Sequence, residues 1–269
     1  GDQPTMKALM LAAGVGRRLY GDDRTQPPKA ILEFGGKTLL RRHIENLKRF
    51  GVEELVLVLG HRKDEVLAEA NAVSEPGFVR WLHNPRYRGG PVISLWTARE
   101  VLRSGSDVLF MDADVLYHPE LLGRLLRSPH ENCFIYDRDF EAGDEPVKLC
   151  LDAGQPVEFG KKVEGAFETM GEWPGFLRLS GRIAAKLADA TQGYIDRAEM
   201  AAPYEPAMRD VLRAEPAGTF GAEDVTGIPW IEIDFPSDLI RAERHVLPLI
   251  ETPIEELRSA QGFRASARR

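Results

Sequence analysis

The sequence predicts an α/β protein: three layers, with a mostly parallel sheet between helices and an antiparallel extension late in the chain. Three observations predict it. Through the first half, apolar strand-like runs alternate with amphipathic helix-like ones, and that order implies parallel strands joined by right-handed crossovers. One of these runs ends in a glycine turn and two end in paired carboxylates, at the position where open parallel sheets collect ligands. The length of 269 residues, with no Ser/Gly-rich linker or internal repeat, suits one domain over 1–269 with a substantial core.

Lys7–Ala13 is a hydrophobic run suited to a buried strand, and it empties into Gly14-Val15-Gly16-Arg17-Arg18. A polar loop through Gly21–Thr25 leads to Pro27-Pro28-Lys29. From Thr38 to Phe50, residues Leu39, Leu40, Ile44, Leu47 and Phe50 recur at helical spacing, and Gly51 closes the helix. Glu54–Gly60 contains Leu-Val-Leu-Val-Leu, a strand buried on both faces. A helix near Lys63–Ala72, a strand near Phe78–His83 and a helix near Ile93–Arg103 follow. Asp107–Met111 is a further apolar strand, running into Asp112.

Beyond Asn132 the rhythm changes. Short strands at Cys133–Asp137, Val147–Asp152 and Val157–Phe159 are separated by turn signals such as Asp152-Ala153-Gly154-Gln155-Pro156, the mark of an antiparallel extension. Leu177–Leu179 reads as a strand and Arg182–Ala190 as a helix. Gly193–Ala217 is polar, aromatic and irregular, with a short helix near Ala207–Ala214. Ile228–Ile233 returns to strand, and Ser237 is placed to cap a helix over Asp238–Val246. The tail from Arg258 is basic and expected to fray. The segment Gly1–Thr5 precedes a plausible initiator, Met6.

Composition excludes several functions. A net charge of -7 argues against a general nucleic-acid binder and requires any phosphate-binding cations to be concentrated locally. Cys133 and Cys150 lack the spacing of a disulfide framework or zinc site and fit buried small hydrophobes. No apolar run reaches the length of a membrane span and no signal peptide precedes Met6, so a soluble, cytoplasmic protein is expected. The six histidines form no ligand spacing, and no Ser/His/Asp arrangement points to a covalent mechanism.

Gly14 and Gly16 let the backbone approach a ligand, and successive free N–H groups there form a nest for anionic oxygens. The dinucleotide fingerprint fails, because Leu19 stands where a third glycine is needed. The Walker pattern fails for want of Gly-Lys-Ser/Thr. Arg17, Arg18 and Lys29 add charge, and the set describes a place to hold a polyphosphate. In the extended chain of Asp112-Ala113-Asp114 and of Glu232-Ile233-Asp234 the carboxylates of each pair share a side. That suits Mg²⁺, which takes one or two protein oxygens, water and substrate phosphates; helix capping or solvation fits the same acids. Lys148 and Lys161 suit either solvent or an acceptor's anion. Glu172-Trp173 fits a pocket edge and a core position equally. Tyr194 and Tyr204, with Trp173, Glu205 and Arg209, could line a pocket for a cationic amine.

These residues, in this order, resemble the nucleotidyltransferases of the sugar-phosphate and choline-phosphate type. The resemblance rests on Leu11-Ala12-Ala13-Gly14-Val15-Gly16-Arg17-Arg18, Pro28-Lys29-Ala30-Ile31-Leu32, Gly36-Lys37-Thr38-Leu39-Leu40, Met111-Asp112-Ala113-Asp114-Val115, Gly171-Glu172-Trp173-Pro174-Gly175 and Glu232-Ile233-Asp234. The later half is most similar to the cytidylyltransferases for phosphocholine, 2-aminoethylphosphonate and inositol phosphate. The resemblance implies a Rossmann-like (GT-A-like) sheet and transfer of CMP from CTP to a small phosphate- or phosphonate-bearing acceptor, with release of pyrophosphate.

By that resemblance Leu11, Ala12, Ala13, Gly14, Ser94 and Asp112 contact the nucleotide. Gly16 and Arg17 hold the β- and γ-phosphates, Lys29 faces the α-phosphate, and Asp114, Asp234 and Glu232 carry Mg²⁺. Arg17 and Lys29 are the expected catalytic cations. Lys148, Lys161, Glu172, Trp173, Tyr194 and Tyr204 are the candidate acceptor contacts, in a lobe spanning 158–217, and a homodimer is compatible with the pattern. The chain departs from its relatives at Gly89-Gly90-Pro91-Val92-Ile93-Ser94-Leu95, where they carry an Asn-rich segment. Sugar-1-phosphate nucleotidylyl transfer with UTP or dTTP is the alternative chemistry. A catalytically silent nucleotide-binding domain is the alternative of another class.

Overall fold

A computed structural model describes residues 5–259; the expectations for residues 1–4 and 260–269 lie outside the described residues. Seven strands form the central sheet: β1 (Met6–Ala12), β2 (Leu55–Leu59), β3 (Val79–His83), β4 (Asp107–Asp112), β5 (Cys133–Tyr136), β6 (Phe176–Leu179) and β7 (Gly221–Asp224). Their order is β7-β5-β6-β4-β1-β2-β3. β6 runs antiparallel to both neighbours, and the other pairs are parallel. The inner strands β1, β2 and β4 are largely apolar because both faces of the sheet are covered, whereas the edge strands β3 and β7 carry polar residues. Met10, Leu57 and Met111 pack on one face against Leu40, Ile44, Val66, Ala70 and Leu121. On the other face Leu9, Val58 and Phe110 pack against Leu95, Ile183, Leu187, Met208 and Val211.

β1 and β4 lie side by side, with Leu11 opposite Asp112, while the chain continues from β1 toward β2 on the other side. That reversal opens a crevice beyond the carboxyl ends of the strands. A short strand at Val115–Tyr117 leaves β4 and pairs antiparallel with Trp230–Glu232, setting Glu232 opposite Val115. The two acidic segments, far apart in sequence, meet through this pair.

Several elements differ from expectation for identifiable reasons. The helix expected over Ile93–Arg103 is two, Pro91–Thr97 and Arg99–Leu102. Pro91 starts it early at the first helical position. At Ala98 the ladder tightens to a bond with Leu95 O, beside a Thr97 hydroxyl that donates to Ile93 O. The helix expected to end at Ala190 spans Gly181–Asp196. Its apolar face continues through buried Leu187, Ala188 and Thr191, enough to carry Gly193 inside it at a cost of about 1 kcal/mol.

The late extension is a separate sheet of Gln155–Gly160, Lys148–Asp152 and Thr169–Glu172. Its hairpin turns at Ala153 and Gly154, both with positive φ, and Pro156 lies in the strand beside a bulge. Ser237 does not cap the last helix. Phe235 is the N-cap of Pro236–Arg241, and the Asp238 carboxylate accepts from the backbone N–H groups of Asp234 (3.0 Å) and Phe235 (2.7 Å).

Candidate active site

β1 delivers the glycine turn to the crevice. Ala12 and Ala13 are buried, and Gly14 faces open space. Gly16 adopts φ +67° and N-caps a short helix, Arg17–Tyr20, a left-handed conformation that a residue with a Cβ reaches only with strain. The exposed Arg17 side chain has no hydrogen bond or ion pair among the described residues. Arg18 donates to Asp234 Oδ2 (2.8 Å) and Glu145 Oε2 (2.6 Å).

Lys29 opens a 3₁₀ turn, Lys29–Ile31, after Pro28. Its Nζ donates to Asp114 Oδ2 (2.8 Å) and to Ile233 O (2.9 Å), and lies 3.7 Å from Asp234 Oδ1. Burial alone would lower its pKa, but Asp114, Asp234 and Glu232 override this and hold the ammonium above its ordinary value. Burial and the Asp114 charge push Asp112 well above the carboxylate range, against a hydrogen bond from the Tyr204 hydroxyl to Oδ1 (2.5 Å). Glu232 is surrounded by protein yet opens to the crevice; desolvation, then Asp114, Asp112 and Asp234, push it up as well.

Carboxylate oxygens of Asp112, Asp114 and Glu232 all lie within 4.8 Å of one another. Mutual repulsion among hard oxygen donors at that spacing is what a divalent cation relieves, and the donor set matches a hard ion. The grouping differs from the expected trio: Asp112 joins Asp114 and Glu232, while Asp234 is turned to Lys29 and Arg18.

All of this surrounds a cavity of about 730 Å³. Leu11, Ala12, Ala13, Gly14, Gly16, Arg17, Lys29, Ser94, Asp112, Asp114, Glu232 and Asp234 line it, as do Lys161 and Tyr204 from the later part of the chain. Four expected acceptor contacts do not. Trp173 is a core residue, 3% exposed, stacked on Phe110 and donating Nε1–H to Phe176 O. Lys148 is buried, with its Nζ donating to the backbone carbonyls of Gly143 and Lys161. Glu172 pairs in register with Lys148 on the small sheet. Tyr194 sits on the Gly181–Asp196 helix, its hydroxyl donating to Asp210 Oδ2 and its ring under Arg197. Local sequence does not say which face of an element meets the crevice, and these four side chains lie away from it.

A family model described as MobA-like NTP transferase domain matches residues 8–189, more than half the chain. The chain belongs to this family. Among curated relatives, the bifunctional IPC transferase and DIPP synthase of Rubrobacter xylanophilus is 33% identical over 245 residues, covering 89% of this chain and 52% of that protein. The CMP-5'-(3-aminopropyl)phosphonate synthase of Streptomyces rubellomurinus is 26% identical over 257 residues, covering 92% and 40%. The chain thus spans about half, or less, of these relatives' length. Among solved structures, the inositol-1-phosphate CTP transferase from T. maritima superposes with a TM-score of 0.70 at 18% identity, covering 94% of this chain and 98% of that one, a likeness of fold.

Nucleotidyltransferases of this kind generally use a divalent metal, and a cluster of three acidic side chains is present here. Among the described residues no helix is long and apolar enough to cross a membrane. The crevice also contains cations that its motifs leave unassigned. Arg24 and Arg88 line it; Arg24 lies in the polar loop after the glycine turn, and Arg88 immediately precedes Gly89-Gly90. No motif surrounds either one, so nothing local marked them.

Proposed function

We propose that this chain transfers CMP from CTP to a small acceptor bearing a phosphate or phosphonate, releasing pyrophosphate. The observation that carries the reading is Lys29, ion-paired with Asp114 in a crevice also lined by the glycine turn and the exposed Arg17. The relative named as a CMP-5'-(3-aminopropyl)phosphonate synthase and the fold neighbour named as an inositol-1-phosphate CTP transferase support a cytidine nucleotide as donor. Phosphoryl transfer asks mainly for alignment and charge stabilisation, and the residues offer both.

The backbone at Ala12–Gly14 lies against the nucleoside, while Gly16 and Arg17 receive the β- and γ-phosphates. Lys29 stabilises charge on the α-phosphate as the acceptor oxygen attacks the α-phosphorus and pyrophosphate departs. Asp112, Asp114 and Glu232 would hold Mg²⁺, which when bound supplies Lewis-acid stabilisation of the phosphate oxygens. Asp234 steers Lys29 and Arg18.

On the acceptor side, residues between 158 and 217 contribute Lys161, Tyr204 and Glu205 to the crevice. Lys161 is a partner for the acceptor's anion. Glu205 Oε2 is buried without a hydrogen-bond partner among the described residues, and burial raises its pKa. An acceptor carrying a hydroxyl or primary ammonium donor satisfies that oxygen. A quaternary ammonium has no N–H to offer, and Trp173 and Tyr194 are not there to cage it.

The test is pyrophosphate release across CTP, UTP, dTTP and GTP, each with phosphocholine, aminoalkylphosphonates, inositol phosphate and sugar 1-phosphates. Turnover is expected with CTP and a hydroxyl- or amine-bearing acceptor. Lys29→Ala, with circular dichroism confirming the fold, is expected to lose on the order of 10²–10³ in kcat. Turnover confined to UTP or dTTP with sugar 1-phosphates overturns the reading in favour of the alternative chemistry.

A further inference from the structure

The turn carrying the acids is fastened from behind, on the side away from the crevice. His43 lies on the core face of the Leu39–Arg49 helix and is 0% exposed. Its Nε2 is 2.9 Å from Ala113 O, the carbonyl between Asp112 and Asp114. Its Nδ1 is 3.1 Å from the Tyr117 hydroxyl, three residues past Asp114. A carbonyl oxygen only accepts, so Nε2 carries the proton and donates; in the neutral ring Nδ1 then accepts from Tyr117 O–H. Burial keeps the ring neutral, pushing its pKa down to about 4. Tyr117 lies 5.3 Å from the imidazole and Phe176 meets it edge-on at 6.3 Å, so the ring's position is fixed on two sides.

Leu40, Ile44, Leu47 and Phe176 pack around the pair, and the buried Asn46 side chain is a further hydrogen-bond partner of Tyr117. A leucine at position 43 would meet the packing demand without a desolvated imidazole. What the histidine adds is orientation. Rotation of the Ala113 peptide tilts both flanking carboxyl groups, and the crowding of three acidic side chains within 4.8 Å favours such a rotation unless the turn is held.

We infer that His43 is a positioning residue for the divalent-cation site, its two hydrogen bonds clamping the turn from Asp112 to Tyr117 so that Asp112 and Asp114 converge with Glu232. The inference rests on the metal reading above. It also assigns Tyr117 as the second anchor of the clamp, linking a helix of the outer layer to the acids on the sheet.

The experiment measures Mn²⁺ binding to the full chain by electron paramagnetic resonance without nucleotide, beside kcat and the metal dependence of turnover. His43→Leu removes the donor and the acceptor; His43→Gln supplies both from one amide. His43→Leu is expected to raise the Mn²⁺ dissociation constant about tenfold or more, and His43→Gln to stay within about threefold of the parent. Turnover of His43→Leu is expected to recover at saturating metal, a split that loss of stability alone does not produce. A folded His43→Leu protein that binds Mn²⁺ as tightly as the parent overturns the inference. Should that variant not fold, His43→Asn, whose shorter amide cannot span both partners, takes its place under the same criteria. Asp114→Asn separates the two readings: if it binds Mn²⁺ like the parent, or the parent binds none, the metal reading falls and takes the inference with it.

Discussion

At the scale of single residues, chemistry follows from which charges are left uncompensated. That Lys29 and Asp114 come to the crevice is legible in the sequence, because each follows a strand or proline turn that fixes where it emerges. The positions of Lys148 and Trp173 are not, since alternation along a strand gives two faces without saying which one meets the crevice. Glu172 shows the consequence. Burial, then the Asp137 and Asp238 charges, hold its pKa at about 7 against an ordinary 4.5. Lys148, its cross-strand neighbour, spends its ammonium on backbone carbonyls. The native state binds this proton more tightly than the unfolded chain, so stability falls as pH rises from 4.5 through about 7. Glu172→Gln should therefore stabilise the protein at pH 8 by on the order of 1–2 kcal/mol, a figure reduced for partial solvent access. The gain should vanish as the pH approaches that of the free carboxyl group. Urea unfolding of both proteins across that range checks it; a gain that persists unchanged in acid removes this account of Glu172.

At the scale of elements, the strands and amphipathic helices of the first half were readable because parallel strands buried on both faces stand out as unbroken apolar runs. The breaks were less readable: Ala98, where the helix divides, carries no glycine or proline. Gly89-Gly90, noted in the sequence only as a departure from relatives, has a packing reason. Gly90 donates its N–H to Met200 O (2.7 Å), Val92 donates to Ala202 O (3.1 Å), and a Cβ on Gly90 would lie 2.4 Å from the backbone at Ala201 and Ala202. The φ there is -73°, so the constraint is space and not backbone strain. This seam sets the segment leading into Tyr204 and Glu205 against the start of the helix that carries Ser94. Gly90→Ala should force the two segments apart, costing about 1–3 kcal/mol of stability. It should also raise KM for the acceptor more than KM for the nucleotide. Equal changes in both constants would place the seam outside acceptor binding.

At the scale of the molecule, the distribution of charge matters more than its sum. The chain is acidic, with a net charge of -7, yet Arg17, Arg18, Arg24, Lys29, Arg88 and Lys161 all face one crevice. Arg18 and Lys29 are already engaged by Asp234 and Asp114. Like the half-buried Lys161 ammonium, the Arg17 and Arg88 side chains form no hydrogen bond or ion pair among the described residues, Arg88 resting over the Tyr87 ring. Both are exposed, so their attraction for a polyphosphate is screened once the Debye length shrinks below the width of the crevice. Lys29, largely enclosed with Asp114, is screened far less. Raising ionic strength from about 0.05 M to about 0.5 M should therefore increase KM for the nucleotide several-fold while leaving kcat nearly constant. Arg17→Gln should raise KM at low salt and flatten its dependence on salt, because the screened contribution is the one removed. Steady-state kinetics at a series of chloride concentrations, with free metal held constant, checks both. A salt-induced fall in kcat at unchanged KM would instead mean that screening reaches the Lys29–Asp114 pair, and that the crevice floor is wetter than its enclosure implies.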